Sequence, residues 1–336
     1  MILVSFITPT LNAGKVLKDC LQSISLQTIK DYEIIIADGG STDNTLIVAK
    51  NFKAKIFKNP LKTGEAGKAV GIRHAKGKYL VFLDSDNLLP SKNWLKKMLL
   101  PLQKDPQIIG SEPISFTYRR DAGFTERYSA LIGANDPYAY ISGIYDRYSY
   151  LSGKWTGLKI ETQDFPNYLK IKLNPNELLP TIGANGAIFR HDFLKNYFKG
   201  DYFFDIDIIT SVIHQTHQPL YFAKVKVGII HTFCESSIKK FIRKQKRRIV
   251  DFYQFQNIRQ FNWQKNNRSA TVKFSLYTIT LIPPIFDSFR GYLKKPDFAW
   301  FFHPLACLIS FFVYFSATLK NVIGQKNIID RSHWQQ

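Results

Sequence analysis

With 336 residues, 45% of them apolar and 15% aromatic, the chain is long enough for one large domain or two small ones and too apolar to be disordered. Its 46 basic and 26 acidic residues leave a formal charge of +20, which calls for an anionic partner: nucleic acid, a phosphorylated substrate or an acidic membrane surface. Three cysteines, Cys20, Cys234 and Cys307, lie far apart with no Cys-x-x-Cys pair, so neither a zinc knuckle nor a disulfide framework is indicated.

Met1 runs directly into an apolar stretch of six residues, without a basic leader or a small-residue cleavage site, so no signal peptide is predicted and the N-terminal part is expected in the cytoplasm. Residues 3–7 predict a first strand. Val16, Leu17, Cys20, Leu21 and Ile24 recur at helical spacing and predict a helix with one apolar face. Residues 33–37 predict a second strand, closed by Asp38-Gly39-Gly40, with Asp43 positioned to cap the next helix. A third strand is expected at 54–57, a helix at 66–76 and a fourth strand at 79–83. Continuous apolar strands separated by helices imply a parallel sheet covered on both faces, with ligands bound beyond the carboxyl ends of the strands.

Residues 116–180 are rich in Tyr, Gly and Asn and carry no regular pattern. Gly183-Ala184-Asn185-Gly186-Ala187 opens an apolar, strand-like run, residues 203–212 read as a helix start, and residues 221–231 as one or two strands. From 236 to 273 there are 11 Lys or Arg and one acidic residue, Asp251. Two apolar segments follow, 274–289 and 298–319. The second is 22 residues long without a charge, enough to span a bilayer, although His303 and Pro304 weaken its start. The first contains Pro283, Pro284 and Asp287 and suits an interfacial helix better. The basic loop at 290–296 argues against a symmetric two-span hairpin that would carry it outside.

Three segments carry the chemistry. Asp84-Ser85-Asp86 puts two carboxylates two residues apart at the end of Tyr-Leu-Val-Phe-Leu, a density of negative charge that a divalent cation relieves; a bare pair of this kind is more often a solvated turn. Asp38-Gly39-Gly40-Ser41-Thr42-Asp43 offers a carboxylate acceptor for a nucleobase or ribose and glycines that let a ligand approach the backbone. Thr8-Pro9-Thr10-Leu11-Asn12 adds small polar groups beside them.

In order and spacing these segments resemble family 2 of the glycosyltransferases. The matching residues are Phe6-Ile7-Thr8-Pro9-Thr10-Leu11-Asn12, Cys20-Leu21-Gln22-Ser23, Gln27, the run from Glu33 to Asp43, and the stretch from Gly64 through Gly77 into Phe82-Leu83-Asp84-Ser85-Asp86. The resemblance implies an α/β chain of GT-A fold, Rossmann-like, with a mostly parallel sheet flanked by helices. It implies a catalytic domain over 1–235, in which 1–115 binds the nucleotide sugar and 116–235 the acceptor, followed by a membrane-associating helical region over 236–336. Thr8, Pro9, Asn12, Asp38, Lys68, Asp84 and Ser85 would form the donor-binding set, with Asp38 at the base and Asp84 near the ribose. Asp86 would bind the Mn²⁺ or Mg²⁺ that bridges the diphosphate, and His231, after an apolar strand, would complete that metal site. The family often has Ala-Arg-Asn before the metal strand; this chain has Gly67-Lys68-Ala69-Val70-Gly71-Ile72-Arg73-His74, leaving Lys68 or Arg73 to face the donor. On the acceptor side Phe204 stands where an acidic pair would begin, so by resemblance the base that an inverting transfer needs would be Asp205, with Asp207 second and Asp201 third.

The expected activity is an inverting, metal-dependent transfer from a UDP- or GDP-sugar to a hydroxyl of a lipid-linked or polysaccharide acceptor, at the cytoplasmic face of a membrane. A polyprenyl-phosphate glycosyltransferase is the nearest alternative. A nucleotidyltransferase would show a glycine-rich, basic loop after the first strand, where residues 8–15 contain only Gly14. A non-catalytic membrane anchor would bind no donor. The basic run at 239–248 suits a membrane surface or a lipid phosphate; no nucleic-acid motif accompanies it, and no nucleic-acid partner is expected.

Overall fold

A computed structural model describes residues 2–261 and 268–324. The described residues fold as two compact units, one formed by 2–114 with Ile160–His231, the other by Ser115–Lys159 with 232–261 and 268–324. In chain order the elements are β1 (Val4–Thr10), α1 (Gly14–Ser25), β2 (Tyr32–Asp38), α2 (Thr45–Asn51), β3 (Lys55–Lys58), α3 (Gly64–His74), β4 (Tyr79–Phe82), β5 (Asn87–Leu88), α4 (Trp94–Lys104) and β6 (Ile108–Phe116). Then come α5 (Phe124–Ile132), α6 (Pro137–Ser142), β7 (Glu161–Asp164), β8 (Tyr168–Leu173), β9 (Ile188–Arg190), α7 (His191–Tyr197), α8 (Asp207–Thr216) and β10 (Leu220–His231). The last are α9 (Ile238–Gln254), α10 (Arg268–Ile279), α11 (Ile282–Lys294), a 3-10 turn at Phe298–Phe302 and α12 (His303–Val322).

The first unit is built on one sheet in the order β3-β2-β1-β4-β9-β6-β10-β8-β7, with β5 paired to β10. β3, β2, β1 and β4 run parallel. β9 turns antiparallel to β4 and β6, and β10 antiparallel to β8. β1 and β4 are buried along nearly their whole length, as central parallel strands covered on both faces must be. α1 covers the sheet with Leu17, Cys20, Leu21 and Ile24, the apolar face that its spacing predicts.

β1 runs three residues past its expected end, through Pro9. Its β4 partner stops at Phe82 opposite Ile7, so beyond that point one side of β1 is an edge and a residue without an N–H is tolerated. The 183–187 run is a turn, with positive φ at Gly183, Asn185 and Gly186; the strand starts at Ile188. α8 begins at Asp207 rather than at 203, because Phe203 drops into the core and stacks on Phe82 with 4.6 Å between ring centroids. Residues 221–231 lie in a single strand of 12 residues.

In the second unit, the segment expected as one apolar helix over 274–289 is divided at Leu281, whose φ is +58°, ahead of Pro283 and Pro284 in the first turn of α11. Phe298–Val322 is the one helix among the described residues long and apolar enough to cross a membrane. It is also tied to its own unit by polar contacts. His303 Nδ1 pairs with the Tyr128 hydroxyl at 2.7 Å and its Nε2 with the Tyr277 hydroxyl at 2.9 Å, while the Tyr314 hydroxyl donates to Asp136 at 2.6 Å. The three cysteines are free and buried.

Candidate active site

The parallel register brings the ends of β1 and β2 level, with Thr10 opposite Asp38. The Thr10 and Ser41 hydroxyls donate to Asp38 Oδ1 at 2.9 and 2.5 Å, and the Gly40 and Ser41 N–H groups donate to Oδ2 at 2.9 and 2.8 Å. These four bonds fill the roughly four acceptor positions of a carboxylate, so here Asp38 shapes the turn, and contact with a nucleobase requires one hydroxyl to rotate away. Asn12, in the left-handed region with φ +50°, accepts the Thr42 N–H at 2.8 Å and ties the two loops together. Asp43 receives the N–H groups of Gly14 and Thr45 at 3.0 and 2.9 Å; the cap residue of α2 is Asn44 rather than Asp43, and Asp43, one position before it, clamps the start of α2 to α1. Burial pushes the Asp43 carboxyl up, but the hydrogen bonds from Thr45 and Gly14 outweigh it and hold it below its ordinary range. Thr8 is fully buried, and its hydroxyl has no hydrogen-bond partner among the described residues. Pro9 lies against α3, where a Cβ on Gly67 would stand 2.6 Å from the Pro9 Cβ; the glycine lets the helix lie close to the strand end.

Asp84, Ser85 and Asp86 follow β4 in the turn that leads into β5. β5 pairs with the end of β10, Asn87 opposite His231. That pairing carries His231 Nε2 to 3.4 Å from Asp86 Oδ2. Two ligands at right angles and about 2.1 Å from a hard divalent cation are about 3 Å apart, so this carboxylate and imidazole fit such an ion with modest adjustment. Among the described residues no group of three His, Cys, Asp or Glu side chains gathers as a closed metal cage. A two-residue set of this kind leaves an ion's other positions for phosphate and water oxygens.

Lys68, in α3, is buried, and its ammonium is paired with Asp205 and lies 3.4 Å from Asp84 Oδ1. Arg73 instead points outward to Asp201 at 3.1 Å. Burial opposes the Lys68 charge, but Asp205 and Asp84 outweigh it and hold the ammonium above its ordinary range. Burial pushes Asp205 up to about 6; Lys68 pulls it down, and the nearby Asp84 adds to the rise. Asp205 is thus ionised at neutral pH and close to the range of a working base. Asp207 is buried in the first turn of α8. The site thus joins Asp84 to Asp205 through Lys68, and Asp86 to His231 through the β5–β10 pairing.

Residues 5–198, more than half of the chain, match the family model for glycosyl transferase family 2. The chain belongs to glycosyl transferase family 2. It is 33% identical over 114 residues to the glycosyltransferase GlyG of Streptococcus pneumoniae serotype 4, covering 32% of this chain and 38% of that protein. It is 36% identical over 100 residues to a PGL/p-HBAD biosynthesis glycosyltransferase of Mycobacterium bovis, covering 28% and 39%. The chain spans less than two fifths of the length of these curated relatives. Among solved structures, the mannosyltransferase PcManGT of Pyrobaculum calidifontis, in complex with GDP-Man and Mn²⁺, is similar at a TM-score of 0.51 and 14% identity over 96% of this chain and 87% of that one. That likeness establishes the fold, GT-A.

Three residues of this family 2 site were not singled out in the sequence. Asn87 is fully buried; its Oδ1 accepts the Asp84 N–H at 3.2 Å, and its Nδ2 donates to Asp86 Oδ1 at 3.4 Å and Asn185 Oδ1 at 3.3 Å. It follows Asp86 directly, and an amide next to two carboxylates is the signal that the sequence offers. The other two are Glu112 and Lys224, both fully buried and 2.6 Å apart. Glu112 Oε2 also accepts the Gly183 N–H at 3.0 Å. Gly183 has φ +124°, and a Cβ there would stand 2.2 Å from the Asp205 carbonyl oxygen, so the buried pair holds the turn on which the Asp205 backbone rests. No local signal marks a pair 112 residues apart.

Proposed function

We propose that this family 2 member is an inverting, metal-dependent glycosyltransferase that moves a sugar from a UDP- or GDP-sugar to a hydroxyl of a lipid-linked or saccharide acceptor. The observation that carries the reading is the approach of His231 to Asp86 at 3.4 Å, next to the Asp84–Lys68–Asp205 chain of charges. Asp86 and His231 would hold Mn²⁺ or Mg²⁺. When bound, that ion supplies positive charge against the diphosphate as it leaves. Thr8, Pro9, Asn12, Asp38, Asp84 and Ser85 line the donor side, and the Lys68 ammonium offsets the negative charge gathered around Asp84. Asp205 takes the proton from the acceptor hydroxyl as its oxygen attacks the anomeric carbon and the bond to the diphosphate breaks; Asp207 is the second candidate for that role. Calorimetry with UDP, GDP and Mn²⁺ tests the donor side: binding that needs the ion and is lost in Asp86→Asn is expected, and no binding of either nucleotide overturns the reading.

The Lys68 contact favours a second reading, since a carboxylate held by an ammonium is a weaker base. A polyprenyl phosphate acceptor already carries its charge and needs little help from Asp205, so turnover that survives Asp205→Asn selects it.

Attachment to the cytoplasmic face of a membrane is part of the proposal. The second unit exposes Ile282, Phe286, Phe289, Leu293, Phe298 and Val322, each at least 55% accessible, more apolar surface than a soluble helical unit ordinarily shows to water. α9 presents Lys239, Arg243, Lys246 and Arg247 outward, the arrangement that attracts anionic headgroups.

A further inference from the structure

The second unit contains a cavity of about 200 Å³, open to the surface, between α9, α10 and α12. Its wall is mainly apolar, formed by Ile249, Phe252, Phe274, Phe311 and Phe315. Arg248, Arg259 and Asp136 also line it, two guanidinium groups against one carboxylate. Arg248 lies 3.4 Å from Asp136 and donates to Gln245 Oε1 at 2.7 Å, and its side chain is 34% exposed. Asp136 already receives the Tyr138 N–H at 2.9 Å and the Tyr314 hydroxyl at 2.6 Å, which fixes the polar end of the cavity.

Space, lining and surroundings agree on one kind of occupant. A cavity of about 150 Å³ with an aliphatic and aromatic lining stays dry and takes an apolar molecule the size of benzene; this one is larger and open at one side. Phe315, which lines it, is 59% accessible, so apolar surface reaches its opening. Thr271, Ser275 and Thr318, with the Tyr138 and Tyr314 hydroxyls, add polar groups to this lining, so it is amphiphilic and suits a molecule with both an apolar and a polar part. A hydrocarbon chain would pack on the phenylalanine wall, and the guanidinium groups of Arg248 and Arg259 in the lining suit an anionic head.

We propose that this cavity binds the hydrocarbon chain of an anionic, phosphate-bearing lipid, with the phosphate beside Arg248 and Arg259. The site lies wholly within the second unit and involves none of the residues assigned to donor or metal. It would hold the chain to the bilayer by a specific lipid rather than by apolar contact alone.

The test uses the full chain in detergent micelles, without nucleotide sugar or metal, so that its outcome is independent of the transfer activity. A diazirine-bearing polyprenyl phosphate and a diazirine-bearing phosphatidylglycerol are photolysed with the protein, and the labelled peptides are read by mass spectrometry. Labelling is expected around Phe274 and Phe311–Phe315, and excess unlabelled lipid of the same class should displace it. Labelling by both probes, or by one, supports the site and names the lipid; displacement by only one unlabelled class identifies the source. Ser275→Phe fills the cavity from α10, and Arg248→Gln removes its charge. Each should weaken binding at least tenfold, and a neutral polyprenol should bind the unaltered protein at least tenfold more weakly than the phosphate. Labels confined to other peptides, or equal binding of polyprenol and polyprenyl phosphate, overturn the proposal, and both readings need only the unaltered protein.

Discussion

Replacing Lys68 by Met removes the cation that Asp205 and Asp84 share. The Asp205 side chain is 10% exposed, so the carboxylate left behind cannot recover its loss from water. Breaking a buried ion pair by deleting one partner costs about 3–5 kcal/mol. For a unit of this size each kcal/mol is about 2–4 °C in midpoint, so a loss on the order of 10 °C is expected near neutral pH. The pH dependence sharpens the expectation. Asp205 already sits up at about 6 with Lys68 beside it, because burial and Asp84 raise it; without the ammonium it rises further, against about 3.9 in the unfolded chain. A carboxyl raised in the folded state lends its stability fully below the unfolded value and loses it as pH climbs through the folded one. Lys68→Met should therefore melt closest to the unaltered protein near pH 5 and fall away from it by pH 8. Among the facing groups, Glu65 and Asp84 push Asp205 in the same direction as burial, so neither cancels the trend. Thermal melts at pH 5, 6.5 and 8 read the effect, and Lys68→Met/Asp205→Asn, which removes the stranded charge, should recover most of the midpoint at pH 8. A Lys68→Met protein that melts with the unaltered one at pH 8, or whose deficit is the same at pH 5 and pH 8, would refute the buried pair as the cause.

Asp205→Asn should lower kcat about 10²- to 10⁴-fold with a hydroxyl acceptor, and should abolish an acid limb near pH 6 in kcat/KM, with donor affinity measured by calorimetry unchanged. His231→Ala and Asn87→Ala should each weaken Mn²⁺ binding, Asn87→Ala by about 10–100-fold because it orients the Asp86 carboxylate; metal titration of nucleotide binding reads both, and equal midpoints would separate these residues from the metal. Gly183→Ala forces a Cβ to 2.2 Å from the Asp205 carbonyl oxygen at a φ of +124°, so a loss of about 1–3 kcal/mol in stability together with a fall in kcat is expected, read by thermal melts and initial rates.

What the sequence discloses and what it hides divide along a physical line. β1, β2 and β4 are buried parallel strands, so each is a continuous apolar run, and the polar residues that end each run are where the sheet opens to ligand. Thr8, Asp38 and Asp84 to Asp86 could therefore be read from local pattern alone. Groups that depend on the return of the chain could be reached only by resemblance, or not at all. His231 meets Asp86 because β10 runs back antiparallel to β5, and Lys68 meets Asp205 across 137 residues. Glu112 and Lys224 look in sequence like ordinary solvated charges, and only the folding of β6 beside β10 in the sheet accounts for their burial as a pair. The stretch from 116 to 180 was unreadable for a related reason: residues up to 159 fold with the second unit and the rest with the first, so no single period runs through it. The α10–α11 break was visible as Pro283-Pro284, yet the apolar run around it outweighed the signal. The positions least legible in the sequence are thus those where two distant charges are buried together, and there a single substitution should report most directly on the assembly of the site.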